Sequence, residues 1–250
     1  MQAYVTLVRR ELGCYLLSLN GYVIIASVLL LLGLGFVDML VKLNGEPADA
    51  PLTEWFFRSV YFWLILLMTT PVITMRSFAQ EKASGTYETL MTAPVSDLQV
   101  VLAKFTGTLV FYWLTWLPLL GCMVILRYYT GESVLLEPRQ AASTYLGLTL
   151  VGSLYMAMGC FASGLPRSQL LAAIVSFVLG LTLFIIGLRS LVATPANDWT
   201  DRFFAYLSLI EHVEEFSRGV VDTRYLVFYG SLTFFFLFLT LKVVESRRWK

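Results

Sequence analysis

Polar and apolar residues segregate into long blocks along this chain. Six predominantly apolar stretches, at about 21–41, 57–75, 100–126, 144–165, 170–191 and 225–244, are separated by shorter polar connections. Each is close to or above the roughly 20 residues that a helix needs to cross the hydrocarbon core. Lipid offers no partner to backbone N–H and C=O groups, so spans of this kind satisfy those groups internally as helices. Pro118 within the third stretch predicts a kink or a tilt there. The pattern predicts an all-α polytopic membrane protein with six transmembrane helices, forming one transmembrane domain over 1–250.

The two ends refine this layout. Val5, Val8, Leu12, Tyr15 and Leu19 recur at helical spacing before the first span, with Thr6, Arg9, Arg10 and Ser18 off that stripe. Over 1–19 this predicts an amphipathic helix lying on the membrane surface. An early start of the first span is the other reading. The apolar stretch is as long as a full span and lacks a small-x-small cleavage site, unlike a secretory signal. With the N-terminus inside, six crossings return the C-terminus inside. The inner segments then hold ten of the eighteen basic residues and five of the seventeen acids, net +5 against −4 outside. The last span closes on KVVESRRWK, and basic residues at a span end favour the inner side. The expected topology is N-in, C-in.

Composition agrees. Of 250 residues 58% are hydrophobic and 14% charged, with mean hydropathy +0.73. The span centres carry no Asp, Glu, Lys, Arg or His. Ionisable groups at mid-depth mark proton relays and ion routes, so a self-sufficient ion-coupled pump is disfavoured. Paired aspartates, HExxH and a Ser/His combination at depth are all missing, which disfavours intramembrane hydrolysis. Cys14, Cys122 and Cys160 have no metal or redox spacing. Gly33, Gly35, Gly152, Ser153, Ala157, Gly159, Ser163 and Gly164 allow close helix approach, whether for static packing or for sliding. No GxxxxGK[ST] loop is present, and no length is left for a nucleotide-binding domain. Energy for any work must come from another chain.

The polar run 77–98 between spans two and three is punctuated. Ser84-Gly85 predicts a helix stop. Thr86 can cap a new helix over 87–92, with Glu88 at its positive end. Pro94 ends it, and Ser96-x-x-Gln99 has the spacing of a capping box that launches the third span. The middle helix is about six residues, roughly 9 Å. A helix so short needs support from span ends, headgroups or a partner with a groove. A local headgroup-level turn and a knob for an aqueous partner are both open at this point.

The run FAQEKASGTYETLMTAPVSDLQVVLAKF resembles the signature of ABC-2 type (type V) exporter permeases. Glu81, Lys82, Gly85, Thr86, Glu88, Leu90, Pro94 and Val95 fall on that motif without a gap. The later run LIEHVEEFSRGVVDTRYLVFY resembles the gliding-motility and nitrous-oxide-reductase maturation branch of the family. The resemblance implies a coupling helix over 86–94 that docks on a separate ATPase. Its contact residues would be Glu81, Lys82, Gly85, Thr86, Tyr87, Glu88, Leu90, Met91 and Pro94, with Arg167 in a second, smaller contact. The N-terminal helix would be a connector against the same subunit. It further implies a second permease chain, identical or different, and a multi-pass place in the bacterial inner membrane among membrane lipids. ATP and Mg would bind the partner ATPase and no cofactor this chain. No nucleic acid is expected. Such a chain is a permease subunit rather than an enzyme. The alternative is a non-transporting membrane scaffold that recruits a cytoplasmic ATPase to a motility or assembly machine.

About thirty residues, 194–224, precede the last span on the outer side. Phe203, Tyr206, Leu207, Ile210, Val213 and Phe216 share one helical stripe, with Glu211, Glu214, Glu215 and Arg218 largely elsewhere. The resemblance implies short helices dipping into the outer surface as a lid, or outer gate. A passive interfacial helix fits the same stripe. His212, the one histidine, lies near Glu211 and Glu215 on what reads as an exposed acidic helix. That is a weak match to a metal site, and no metal is expected.

Overall fold

The structure is a computed structural model that describes residues 2–43, 52–87, 95–130, 138–192 and 206–246. The described residues are all helical apart from turns, with no strand among them. In chain order the helices are α1 (Gln2–Leu16), α2 (Leu19–Leu43), α3 (Leu52–Arg58), α4 (Val60–Thr74) and α5 (Ala79–Ser84). They continue with α6 (Asp97–Thr130), α7 (Pro138–Gly164), α8 (Gln169–Val192), α9 (Leu209–Ser217) and α10 (Thr223–Ser246). Six helical stretches are long and apolar enough to cross a membrane: α2, α4 continued through α5, α6, α7, α8 and α10. This is a polytopic all-α membrane protein.

The second span begins at Val60 rather than 57. Ser59 takes an extended backbone, and its hydroxyl donates to the Phe56 carbonyl at 2.6 Å, so α3 closes as a separate short helix. Pro118 lies inside α6, which continues through it.

Most of the second and fourth spans is buried, whereas α2, α8 and α10 leave most of their residues on the surface. α7 is the hub, packing on α4, α6, α8, α9 and α10. The core beside it is aromatic. Trp116 and Phe62, both fully buried, lie 5.6 Å apart between ring centroids, and Phe56 meets both edge-on. Such edge contacts add stability beyond area burial, which matters in lipid, where apolar burial alone drives little helix association.

Chain direction sorts the short helices between the two ends of the bundle. α1 and α5 stand at one end, beside the start of α6 and the close of α7. α3 and α9 stand at the other, beside the start of α7.

α1 docks partly off its apolar stripe. Tyr15 is buried and Val8 and Leu12 are half-buried, but Val5 and Leu19 stay exposed, while Tyr4 and Glu11, off the stripe, turn toward the bundle. The Tyr15 hydroxyl donates to the Ile73 carbonyl at 2.9 Å, and its ring stacks on Phe111 at 4.8 Å. The charge of Glu11 is accepted because a partner waits in α6.

Candidate functional site

At the α1/α5 end, local sequence chemistry builds a joint. α4 stops at Thr74, and a turn over 75–78 leads into α5. The buried Ser163 hydroxyl of α7 holds that turn. It accepts from the Phe78 and Ala79 amides at 3.0 and 3.1 Å and donates to the Met75 carbonyl at 3.1 Å. One hydroxyl thereby satisfies three backbone groups freed by the interrupted helix. Lys82 donates to the Gly164 carbonyl, tying α5 to the last residue of α7. Gly85 ends α5 with φ +74°, the left-handed conformation that favours glycine. Ser96 and Gln99 bond reciprocally, side chain to backbone, both at 3.3 Å, and launch α6.

Behind the joint sits a charge cluster. Lys104 of α6 is 2% exposed, with Nζ 3.1 Å from Glu11 Oε1 of α1 and 3.0 Å from Glu81 Oε1 of α5. Arg10 bonds the same two carboxylates from the rim. Burial disfavours the Arg10 charge, but the Glu11 and Glu81 charges outweigh it and raise its pKa. Gly107 makes the approach of α1 feasible, since a Cβ there would stand 2.9 Å from that of Glu11. Four charges from three segments thus hold α1, α5 and α6 as one body.

The sequence-predicted contact residues divide accordingly. Glu81 and Lys82 are engaged within the chain, by Lys104 and Arg10 and by the Gly164 carbonyl. Thr86 is exposed and bonds Ser84 at 2.8 Å, and Tyr87 lies under the Lys82 ammonium at 5.4 Å. Arg167 is exposed in the α7–α8 turn at the same end. Glu88, Leu90, Met91 and Pro94 lie outside the described residues. The Glu11–Lys104 pair escapes sequence reasoning, although a lysine inside an otherwise apolar helix start is a signal that a partner exists.

At the opposite end, α9 is fastened to the bundle by charge. The Arg218 guanidinium grips Glu54 of α3 with both arms, at 3.0 and 2.7 Å. Arg58 bridges Glu54 at 3.1 Å and Glu214 at 3.0 Å. Glu54 is 3% exposed, and the Arg218 hydrogen bonds hold its carboxyl below the usual range against the opposing effect of burial. Leu209, Ile210, Val213 and Phe216 are buried against the bundle, and Ser143 of α7 donates to the Phe216 carbonyl at 2.7 Å. Of the predicted outer-gate stripe, Ile210, Val213 and Phe216 come together there. Leu207 is half-buried and Tyr206 is exposed, while Phe203 lies outside the described residues.

His212 departs from expectation: it is 1% exposed rather than on an open acidic face. Its Nδ1 is 3.3 Å from the Tyr229 hydroxyl and its ring 4.0 Å from that of Tyr225. Burial pushes its pKa down to about 4, opposed by the Tyr206 backbone, so the ring is neutral near pH 7. No group of three metal-ligating side chains gathers among the described residues.

A family model for ABC-2 family transporter proteins matches residues 41–211. The chain belongs to the ABC-2 transporter family. The match runs from the end of α2 to the third residue of α9, so the α4–α5 joint and Arg167 lie within it. α1 and His212 lie beyond it. ABC-2 permease domains are membrane components without a nucleotide-binding domain, and the family implies an ATP-binding-cassette ATPase as partner. No curated protein matches the chain.

Proposed function

We propose that this ABC-2 permease subunit couples ATP hydrolysis on a separate ATPase to a change between inward- and outward-facing states, exporting a substrate. The supporting observation is the Lys104 joint. Glu81, at the edge of the loop that would dock, is bonded to α6 through Lys104 and to α1 through Arg10. The same segment is fastened to α7 through Ser163. A push on the loop therefore moves two spans and the N-terminal helix together instead of bending a linker. An ATPase whose nucleotide-bound form docks better on one arrangement shifts the permease toward that arrangement.

In this reading α1 and the 77–98 loop face the cytoplasm of a bacterial inner membrane, and α3 and α9 close the outer side. Two permease chains pair with two ATPases that carry ATP and Mg. The resemblance of the 209–229 run supports a place in the gliding-motility and nitrous-oxide-reductase maturation branch. The test is co-purification with the neighbouring ATPase and assay of ATP hydrolysis in lipid. Glu88→Arg and Leu90→Asp are expected to reduce assembly and hydrolysis. Unchanged assembly and hydrolysis in both variants overturns the coupling role.

A further inference from the structure

An open cleft of about 660 Å³ lies between α1, the α4–α5 segment and the first turns of α6. Among the described residues Arg10, Arg76 and Lys104 face it with two carboxylates, Glu11 and Glu81. Both carboxylates are already shared by Lys104 and Arg10. Arg76 has no carboxylate partner among the described residues. Its terminal nitrogens lie against the neutral side-chain amide of Asn20, and its Nε has no partner there. Among the described residues one positive charge is left over, on a half-buried planar fork suited to a phosphate. The Ser18 and Ser84 hydroxyls also line the cleft.

The surroundings of the cleft decide where that phosphate comes from. At the α1–α2 corner Leu17 and Leu19 are 86% and 80% exposed, and Tyr22 and Val23 carry the apolar surface up α2. A ligand that complements both surfaces is amphiphilic, with its phosphate in the cleft and its acyl chains along α2. We propose that this cleft binds the phosphate headgroup of a membrane phospholipid, with Arg76 as the residue that holds the phosphate. The neutral Asn20 positions the guanidinium without cancelling its charge.

The experiment is native mass spectrometry of the full chain in detergent micelles, titrated with phosphatidylglycerol and, separately, with diacylglycerol of the same acyl chains. One phosphatidylglycerol is expected to be retained about tenfold more tightly than diacylglycerol. Arg76→Gln is expected to remove that preference, and Arg9→Gln, on the exposed side of α1, to leave it intact. Equal retention of the two lipids by the unaltered chain overturns the proposal without recourse to any variant. A preference that survives Arg76→Gln overturns it too. A third arm adds inorganic phosphate: if it displaces the lipid at comparable concentration, the cleft takes free phosphate and the lipid assignment falls.

Discussion

Glu54 and Arg218 are 164 positions apart in sequence and meet through two hydrogen bonds of 3.0 and 2.7 Å. This pair joins the segment after the first span to the segment before the last, and with Arg58 and Glu214 it fastens α9 over the bundle end. Because the grip is two-armed, a lysine at 218 cannot reproduce it. Arg218→Lys and Arg218→Ala are expected to lower stability in detergent by similar amounts, about 1–2 kcal/mol, since Arg218 is half exposed and Glu54 keeps Arg58. Unfolding midpoints measure this, and a lysine variant equal to the unaltered protein counts against the two-armed grip.

Acid acts on this end through two groups whose windows are offset, His212 first and Glu54 at lower pH. The Glu54 carboxyl is lowered by Arg218, so its contribution is fully present above the ordinary carboxylate pKa and is lost as pH falls through the lower folded value. His212 is the opposite kind of group, neutral when buried. Its folded pKa of about 4 lies below the unfolded 6.5, so the unfolded chain takes up the proton first. Stability is therefore highest above 6.5 and declines as pH falls toward 4, by up to about 3 kcal/mol. His212→Gln is expected to flatten the midpoint-against-pH curve between 6.5 and 4, and Glu54→Gln to flatten it only below the ordinary carboxylate pKa of 4.5. A His212→Gln curve that keeps its full slope in that window sinks the first expectation.

Lipid makes the six helices legible from hydropathy, because a backbone crossing hydrocarbon has so few options. The Gly85 stop and the Ser96–Gln99 box are legible for a different reason: both are chemistry between near neighbours. The partners of Lys104 and Glu54 are not legible, since Glu11 lies 93 positions from Lys104 and Arg218 lies 164 from Glu54. A run of charges near span ends also fits headgroups, and periodicity cannot say which charges turn inward. The docked face of α1 is obscured by the same difficulty, because an apolar stripe excludes Glu11 by definition. His212 is a case where the signal exists. It shares a helical face with Leu209, Val213 and Phe216, all buried, and acidic neighbours at 211, 214 and 215 mask that phase.

Glycines on two spans separate close packing from mere presence. A Cβ at Gly159 of α7 would stand 2.6 Å from the Cβ and Cγ2 of Thr74, which is fully buried and bonded to the Thr70 carbonyl. Thr74 has no room to yield, so Gly159→Ala is expected to cost about 1–3 kcal/mol. Gly121 of α6 has nothing within 4 Å of an added Cβ, and Gly121→Ala is expected to be neutral or to stabilise by up to about 1 kcal/mol. Paired melts of the two variants decide it, and equal effects would mean that α4 and α7 are not in this close contact.

The Lys104 joint makes the sharpest demand. A lysine 2% exposed is tolerable only while Glu11 and Glu81 neutralise it, and those carboxylates in turn depend on it. Lys104→Met leaves two partly buried carboxylates to Arg10 alone and is expected to cost about 3–5 kcal/mol. Glu11→Gln removes one of those carboxylates, so adding it to Lys104→Met is expected to recover part of the loss. The double-mutant coupling should fall within about 1–3 kcal/mol. Tryptic cleavage at Arg9 and Arg10 provides a second readout: it should accelerate in Lys104→Met, where α1 loses its anchor, and slow again in the double variant. Strictly additive costs with unchanged cleavage would mean that α1 is held by Tyr4 and Tyr15 alone, and that the loop and the N-terminal helix do not move as one body.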